Sequence, residues 1–191
     1  MTVKDAIAGR RSIRAFTGAP VDGGQVRELL EAARLSPSSI NSQPWRFRVV
    51  TDRPTIEWLS GEPTRGQRWI ASAGAVFVCC VDTGGYLKDS GMLPQAMAEG
   101  VQGYLDAFEN GPALAVRGAA ALNLAIAVSA MMLRAVELGL GSTWVGMVDE
   151  AMAVERLRLP GHLNVISLLP VGVPAEAPDP RPRKSLEDIL C

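Results

Sequence analysis

The sequence predicts a single domain of the α+β class. Three observations support this: the length of 191 residues, recurrent apolar runs of strand length, and capped helical segments between those runs. A chain of this length can bury one full hydrophobic core. The net charge of −1 leaves no electrostatic footprint for nucleic acid or an anionic membrane surface. We find no repeat and no second domain, so residues 1–191 are treated as one unit.

Two capped helices are predicted within the first 35 residues. Thr2 and Asp22 are N-cap residues, and each is followed three positions later by a side chain that completes a capping box, Asp5 and Gln25. Gly9 ends the first helix. The second helix has an apolar face formed by Val26, Leu29, Leu30 and Ala33.

Three strands are predicted, at residues 46–50, 75–81 and 164–169. The second is a continuous apolar run, which is typical of a central strand. It contains two of the three cysteines, and the spacing of all three fits neither a C-x-x-C pair nor an even disulfide framework. We therefore expect buried thiols in a reducing cytoplasm. The N-terminus lacks an apolar core of signal-peptide length.

A long helix is predicted from about residue 113 to 138, and it is apolar nearly all round. Such a helix is either central in a large core or buried at an interface. Because a chain of this length has little room for the first arrangement, we expect an interface between subunits. The most apolar stretch is short for a membrane span and lies between Arg117 and Arg134, so no membrane span is expected. Gly139 ends the helix.

The chain changes character at residues 174–191. The strand at 164–169 precedes this segment, and before that strand a short helix is capped by Asp149 and closed by Pro160 and Gly161. The prolines after residue 173 cannot join a regular helix or a central strand, so an extended, polyproline-like arm is expected. The arm carries basic residues and ends in a short helix capped by Ser185.

Histidine chemistry has little room in this chain, because His162 is its only histidine. A zinc site with two or three histidines cannot be built from one chain, and no metal site is predicted. A nucleophilic triad would depend on this single residue, which is expected to be structural or exposed. If the protein is an enzyme, another group must carry the chemistry.

Three polar clusters could hold a ligand. The first cluster, at residues 10–14, and the third, at residues 181–184, carry arginines, and the first also carries a serine hydroxyl. These groups suit a phosphate dianion, although a solvated basic face is the alternative. The second is a loop whose donors and acceptors suit the rim of a planar heterocycle, with ordinary turn chemistry as the alternative. The clusters are Arg10, Arg11, Ser12 and Arg14; Pro37, Ser38, Ser39, Asn41 and Gln43; and Arg181, Arg183 and Lys184.

A glycine-rich stretch at residues 139–146 would let the backbone approach a flat ligand, or it simply stops the long helix and forms a turn. It follows a helix rather than a strand and lacks the G-x-G-x-x-G spacing. The dinucleotide-binding fingerprint is therefore excluded.

Four segments together resemble the nitroreductase family of FMN-dependent oxidoreductases, in order and over nearly the whole chain. They are residues 10–16, 36–47, 138–146, and 169–172 with 181–186. The resemblance implies a mixed central sheet flanked by helices, in an obligate homodimer. It also implies FMN sites at the dimer interface, each built from both subunits, and a C-terminal arm at 174–191 that embraces the partner.

The same resemblance implies a role for each cluster. Phosphate and pyrimidine oxygen would be held by Arg10, Arg11, Ser12 and Arg14, with Arg183, Lys184 and, less directly, Arg181. The partner subunit would supply Pro37, Ser38, Ser39 and Asn41, with Gln43 nearby. Backbone N–H groups near flavin N5 would come from Gly141, Ser142 and Thr143. A further flavin contact before the central strand would come from Gln67 or Arg68.

Arg14 is the expected electrostatic tuner, because a fixed positive charge near flavin N1 and O2 stabilises the reduced cofactor. No acid or base side chain is required, so no catalytic residue is assigned. Substrate choice is expected in residues 82–112, where Tyr86, Tyr104 and Phe108 either cover the pocket as lid aromatics or pack in the core. Arg117 stands where many family members have an acidic residue.

The leading hypothesis is an enzyme that passes reducing equivalents from NADH or NADPH, through FMN, to a nitroaromatic, quinone or similar small flat acceptor. One alternative keeps the fold but changes the chemistry to dehalogenation, flavin fragmentation or dehydrogenation. The other is an FMN-binding protein without turnover.

Overall fold

The computed structural model describes residues 1–84 and 113–191. Tyr86, Tyr104 and Phe108, with nearly all of the expected substrate region, lie outside the described residues. The described residues contain five α-helices: α1 (Val3–Gly9), α2 (Gly23–Arg34), α3 (Arg53–Leu59), α4 (Ala113–Glu137) and α5 (Glu150–Leu157). They contain four strands: β1 (Trp45–Val50), β2 (Ala75–Asp82), β3 (Gly141–Ser142) and β4 (Leu163–Gly172).

The four strands form one sheet in the order β1-β2-β4-β3, which confirms the α+β class. All strand pairs in the described residues are antiparallel. The sheet expected to be mixed therefore has one parallel element there, a single bridge between Ser12 and Ser142.

Strand β2 lies at the centre of the molecule, as its continuous apolar run predicts. Every residue of β2 is buried, and alternate side chains enter two different cores. Phe77 packs in the core that includes Leu124 of α4, whereas Val76 and Val78 pack in the core that includes Ile56 of α3. Helices therefore cover both faces of the sheet.

Capping residues and a proline influence where the predicted elements begin and end. Both capping boxes are present, at Thr2 with Asp5 and at Asp22 with Gln25. Strand β4 extends beyond its predicted end, through Pro170. Pro170 O accepts a hydrogen bond from Thr143 N at 3.3 Å, just beyond the short edge strand β3, so the missing N–H of Pro170 lies on the side of the sheet edge and removes at most one ladder hydrogen bond.

The structure corrects the predicted end of one helix and adds a second helix. Helix α5 ends at Leu157, before Pro160, because Arg158 adopts a left-handed conformation with φ of 51°. Helix α3 was not predicted, although the signals for it are present. The Asp52 side chain accepts a hydrogen bond from Thr55 N at 3.0 Å, and Pro54 lies in the first turn of the helix.

Helix α4 has one buried and one exposed apolar face. Leu124, Ala127, Val128 and Met131 are fully buried in the core, whereas Leu114 and Leu122 are 79% and 72% exposed. By length and composition alone, Leu114–Glu137 could cross a membrane, a test that the core helix of a soluble protein also passes. Gly139 ends the helix region with φ of 73°.

Arg117 forms an ion pair within the chain. Its guanidinium pairs with the Glu150 carboxylate of α5 at 2.8 Å. Glu150 also accepts a hydrogen bond from Val165 N at 2.9 Å. The ion pair therefore joins α4 and α5 to β4.

Candidate functional site

The two basic clusters, which are about as far apart in sequence as the chain allows, line one cleft of about 600 Å³. Arginines from both ends of the chain face this cleft: Arg10, Arg11, Arg14, Arg181 and Arg183. Ser12 and Asp179 also line it. Lys184 does not line the cleft, although it is exposed next to Arg183.

A short backbone ladder brings the two ends of the chain together. Thr17 N donates to Val173 O at 3.0 Å, and Ala175 N donates to Ala15 O at 2.8 Å. The Glu176 carboxylate then accepts hydrogen bonds from the backbone N–H groups of Arg14 and Ala15. From Ala175 to the C-terminus every residue is exposed in the single chain.

The cleft concentrates positive charge that the chain itself does not neutralise. Within residues 1–84 and 113–191, no carboxylate or carbonyl pairs with the side chains of Arg10, Arg14, Arg181 or Arg183. Five guanidinium groups line the cleft with one carboxylate, Asp179, while the nearby Glu176 carboxylate is bound to the backbone N–H groups of Arg14 and Ala15, so the cleft favours an anion. The cleft therefore suits a phosphate group.

Arg11 provides a specific test of whether a phosphate fits. Its Nη1 donates to the carbonyls of Ala8 at 2.7 Å and Arg10 at 2.9 Å, which fixes the guanidinium in place. Its Nε is buried and has no hydrogen-bond partner among the described residues. A buried unpaired donor is costly, and an acceptor oxygen from a bound anion would satisfy it.

The glycine-rich turn after α4 lies beside the first arginine segment. Ile13 N donates to Ser142 O at 3.1 Å, and the Thr143 hydroxyl donates to Ile13 O at 2.6 Å. A Cβ atom at Gly141 would lie 2.7 Å from the Ile13 side chain, so the glycine makes room for Ile13. Thr143 N donates to Pro170 O at 3.3 Å, so this N–H of the turn is already used within the chain.

A second cleft of about 370 Å³ continues from this turn to the C-terminal arm. Arg11 and Pro178 line both clefts. The turn, the N-terminal arginines and the arm therefore form one continuous surface.

The serine-rich loop, residues 37–43, contacts helix α4 through a hydrogen bond. Ser39 N donates to Asn123 Oδ1 at 2.8 Å, and Asn123 Nδ2 donates to Ala119 O at 2.9 Å. Inside the loop, Gln43 N donates to Ser38 Oγ at 2.9 Å. Sequence reasoning missed Asn123, although a buried amide in an apolar helix is a signal that could have identified it.

Within one chain, none of the loop residues 37–43 lines the arginine cleft. The loop is anchored at Asn123 in the first half of α4, whereas the turn beside the cleft follows the last residue of that helix. At a rise of about 1.5 Å per residue, the two positions lie about 20 Å apart along the helix axis.

Gln67 and Arg68 also lie outside the cleft. They begin a short 3-10 helix at Arg68–Ser72, for which Gln67 is the N-cap. Ser72 Oγ accepts a hydrogen bond from Phe16 N at 3.2 Å. The two candidates are thus on an element that packs against the segment after Arg14, but neither lines the cleft.

The chain is thus an α+β protein whose arginine-lined cleft is a candidate anion site. The model of the Nitroreductase family matches residues 7–173, and the chain belongs to this family.

Relatives with related activities are similar over most of the chain. The NADH dehydrogenase of Thermus thermophilus is 33% identical, over 100% of this chain and 95% of that protein. The oxygen-insensitive NADPH nitroreductase of Salmonella typhimurium is 31% identical, over 97% of this chain and 71% of that protein. The FMN reductase of Bacillus subtilis, which uses NAD(P)H, is 28% identical, over 96% and 70%.

Solved structures share the fold. A nitroreductase-like protein from Streptococcus mutans superposes with a TM-score of 0.85 at 27% identity, over 98% of this chain and 96% of that chain. A structure from Exiguobacterium sibiricum, described as a nitroreductase in complex with FMN, has a TM-score of 0.85 at 25% identity, over 100% and 97%.

Proposed function

We propose that this protein is an FMN-dependent oxidoreductase that passes reducing equivalents from NADH or NADPH to a nitroaromatic, quinone or similar small flat acceptor. The observation that carries the proposal is the cleft in which both ends of the chain present unneutralised arginines. Membership of the nitroreductase family, and relatives named for NADPH and FMN, support the choice of cofactor and reductant.

The residues of the cleft fit the phosphate of FMN. Arg10, Arg11, Ser12, Arg14, Arg181 and Arg183 line the cleft and would bind it, and Lys184, next to Arg183 in sequence, would add positive charge from outside the cleft. When bound, FMN supplies the redox chemistry, taking hydride from the nicotinamide and reducing the acceptor. The fixed Arg11 guanidinium orients the phosphate, and Arg14 places positive charge beside the cofactor.

The working unit in this proposal is a homodimer. The exposed face of α4 carries apolar side chains at helical spacing, including Leu122 and Ile126, and burying such a face drives association. A second chain also explains why the loop contacts the first half of α4, whereas the cleft of the same chain adjoins the turn after the last residue of that helix. The loop residues Pro37, Ser38, Ser39, Asn41 and Gln43 would then serve the partner's cleft.

The proposed organisation follows from this arrangement. Residues 1–191 form one FMN-binding domain, residues 174–191 contact the partner, and residues 82–112 select the substrate. Gly141, Ser142 and Thr143 border the site, with Gln67 and Arg68 behind it. The buried, unbridged Cys79 and Cys80 favour a cytoplasmic location.

Purification followed by anaerobic reduction tests the proposal. We expect a yellow protein with an oxidised-flavin spectrum and about one FMN per chain, bleached by NADH or NADPH and reoxidised by a flat acceptor. A colourless protein that does not take up added FMN would contradict the proposal. Steady-state NAD(P)H oxidation with and without the acceptor separates an enzyme from a binding protein without turnover.

A further inference from the structure

The loop between α2 and β1 has an unusual backbone. Ile40, Asn41 and Gln43 all have positive φ values, of 50°, 56° and 43°. Asparagine tolerates the left-handed region, but for a β-branched residue such as Ile40 it is a genuine outlier. Strained backbone of this kind persists only when its surroundings impose it, and it is concentrated at functional sites.

Asn123 contacts this loop from helix α4. Its side chain is 6% exposed, and it is the only buried polar side chain among the described residues of α4. Its Oδ1 accepts from Ser39 N at 2.8 Å, directly before the strained residues, while its Nδ2 is held by Ala119 O. Asn123 therefore connects a rigid, packed helix to the start of the strained segment.

We propose that Asn123 is a positioning residue for flavin binding: it holds the Ser38–Gln43 loop in the conformation that contacts FMN. The inference rests on the proposed function, in which this loop serves the partner's cleft. Asn123 acts through the Ser39 amide and lies next to the exposed Leu122, so it also links the loop to the proposed dimer face.

The test compares FMN affinity in four variants of the full chain. Asn123→Ala removes the acceptor, and Asn123→Gln moves the amide by one methylene. Asn123→Asp keeps an Oδ acceptor for the Ser39 amide. Leu124→Ala is the control, because this neighbouring side chain is fully buried and contributes packing only.

We expect Asn123→Ala and Asn123→Gln to raise the Kd for FMN by about tenfold and to shift the visible flavin spectrum, since a hydrogen bond that fixes the loop is lost. Asn123→Asp should raise the Kd less than Asn123→Ala does, because it keeps the acceptor for the Ser39 amide, but it should not reach the wild-type value, because it loses the Nδ2 hydrogen bond to Ala119 O and buries a charge. Leu124→Ala should lower Tm while the folded protein keeps its Kd and spectrum. Size-exclusion chromatography should give the same oligomeric state throughout.

Two results would overturn the inference. One is a wild-type Kd and spectrum in both Asn123→Ala and Asn123→Gln, or in the glutamine variant if the alanine variant does not fold. The other is a rise in Kd that follows Tm equally in the Asn123 variants and in Leu124→Ala. If the wild-type chain itself bound no FMN, the proposed function would fail, and the inference with it.

Discussion

The Thr143 hydroxyl donates a hydrogen bond to the backbone carbonyl of Ile13 at 2.6 Å, across 130 residues of sequence. Both residues are buried, so water does not compete for the bond. The bond fixes the turn after α4 against the segment that carries Arg14. The shape of the arginine cleft therefore depends on a turn that contributes no charge to it.

Replacing Gly141 tests the packing of this turn against Ile13. In Gly141→Ala the new methyl group would lie 2.7 Å from Ile13 Cγ1, so we expect a loss of about 1–3 kcal/mol in the free energy of unfolding. Urea denaturation measures it. Gly23→Ala is the matched control, because a Cβ there meets nothing within 4 Å, and it should be near neutral. Equal stability of the two variants would contradict the packing argument.

Arg14→Ala tests the electrostatic role of that arginine. Its side chain lines the cleft and has no partner within the part of the chain that the structure describes. Loss of a charge worth about 1.4 kcal/mol to the reduced cofactor would lower a two-electron midpoint potential by about 30 mV. Redox titration of the flavin measures this, with Arg14→Lys as the charge-preserving control. Unchanged potential and flavin content would show that Arg14 is outside the site.

Arg183→Ala separates recognition of the phosphate from recognition of the ring. We expect the Kd for FMN to rise about tenfold, because one charge-assisted contact to the phosphate is lost. The Kd for riboflavin, which has no phosphate, should stay the same. Isothermal titration with both ligands decides the matter. A parallel loss for both would mean that Arg183 supports the cleft without contacting phosphate.

A charge on the exposed face of α4 tests the homodimer. Leu122 is 72% exposed in the single chain, and Leu122→Glu would place a carboxylate in the proposed interface. We expect a shift to monomer and a loss of bound FMN, since an unpaired buried charge is strongly disfavoured. Light scattering after size-exclusion chromatography measures the mass, and Leu122→Ala should weaken the dimer less. A Leu122→Glu protein of unchanged mass would exclude this face.

The buried thiols give a pH prediction. Burial raises the pKa of Cys80 from 9.0 to about 12, with a smaller contribution from the Glu150 charge, and burial also raises the pKa of Cys79. The unfolded chain ionises these thiols first, so the stability they contribute is complete below pH 9 and is lost as the pH rises towards 12. Unfolding free energies measured across this range should fall.

The same burial limits thiol chemistry at neutral pH. Cys191 is the exposed cysteine, so at most one thiol per native chain should react with a disulfide reagent at pH 8, and all three after unfolding. Cys191→Ser should remove the native reaction. Labelling of Cys79 or Cys80 in the folded protein would contradict their burial.

Local signals explain which elements the sequence could predict. Capping boxes at Thr2 and Asp22 are complete within four residues, and the run at 75–81 is apolar enough to be central in any sheet. Helix α3 was missed because it is only two turns long and follows a strand closely. Its cap at Asp52 was readable, but the apolar pattern was too short to indicate a period.

The candidate site was predictable in its chemistry but not in its assembly. The arginine clusters stand out as phosphate-binding candidates in the sequence, yet their meeting depends on the ladder between residues 14–17 and 173–175. Glu176 closes that ladder by accepting hydrogen bonds from backbone N–H groups. Because nearly every residue has such a group, the sequence does not indicate which residues the carboxylate binds. Asn123 was visible only as a polar residue in an apolar helix, and its role needs the position of Ser39.

In one chain the serine-rich loop and the arginine cleft adjoin different ends of α4, and this has a genetic consequence. In the proposed homodimer each chain gives its arginines to one site and its loop to the other. A chain damaged in the cleft and a chain damaged in the loop would therefore complement each other when co-expressed, since half of the sites in a mixed dimer combine the two intact parts. Two alleles that are each inactive alone would then restore partial activity together.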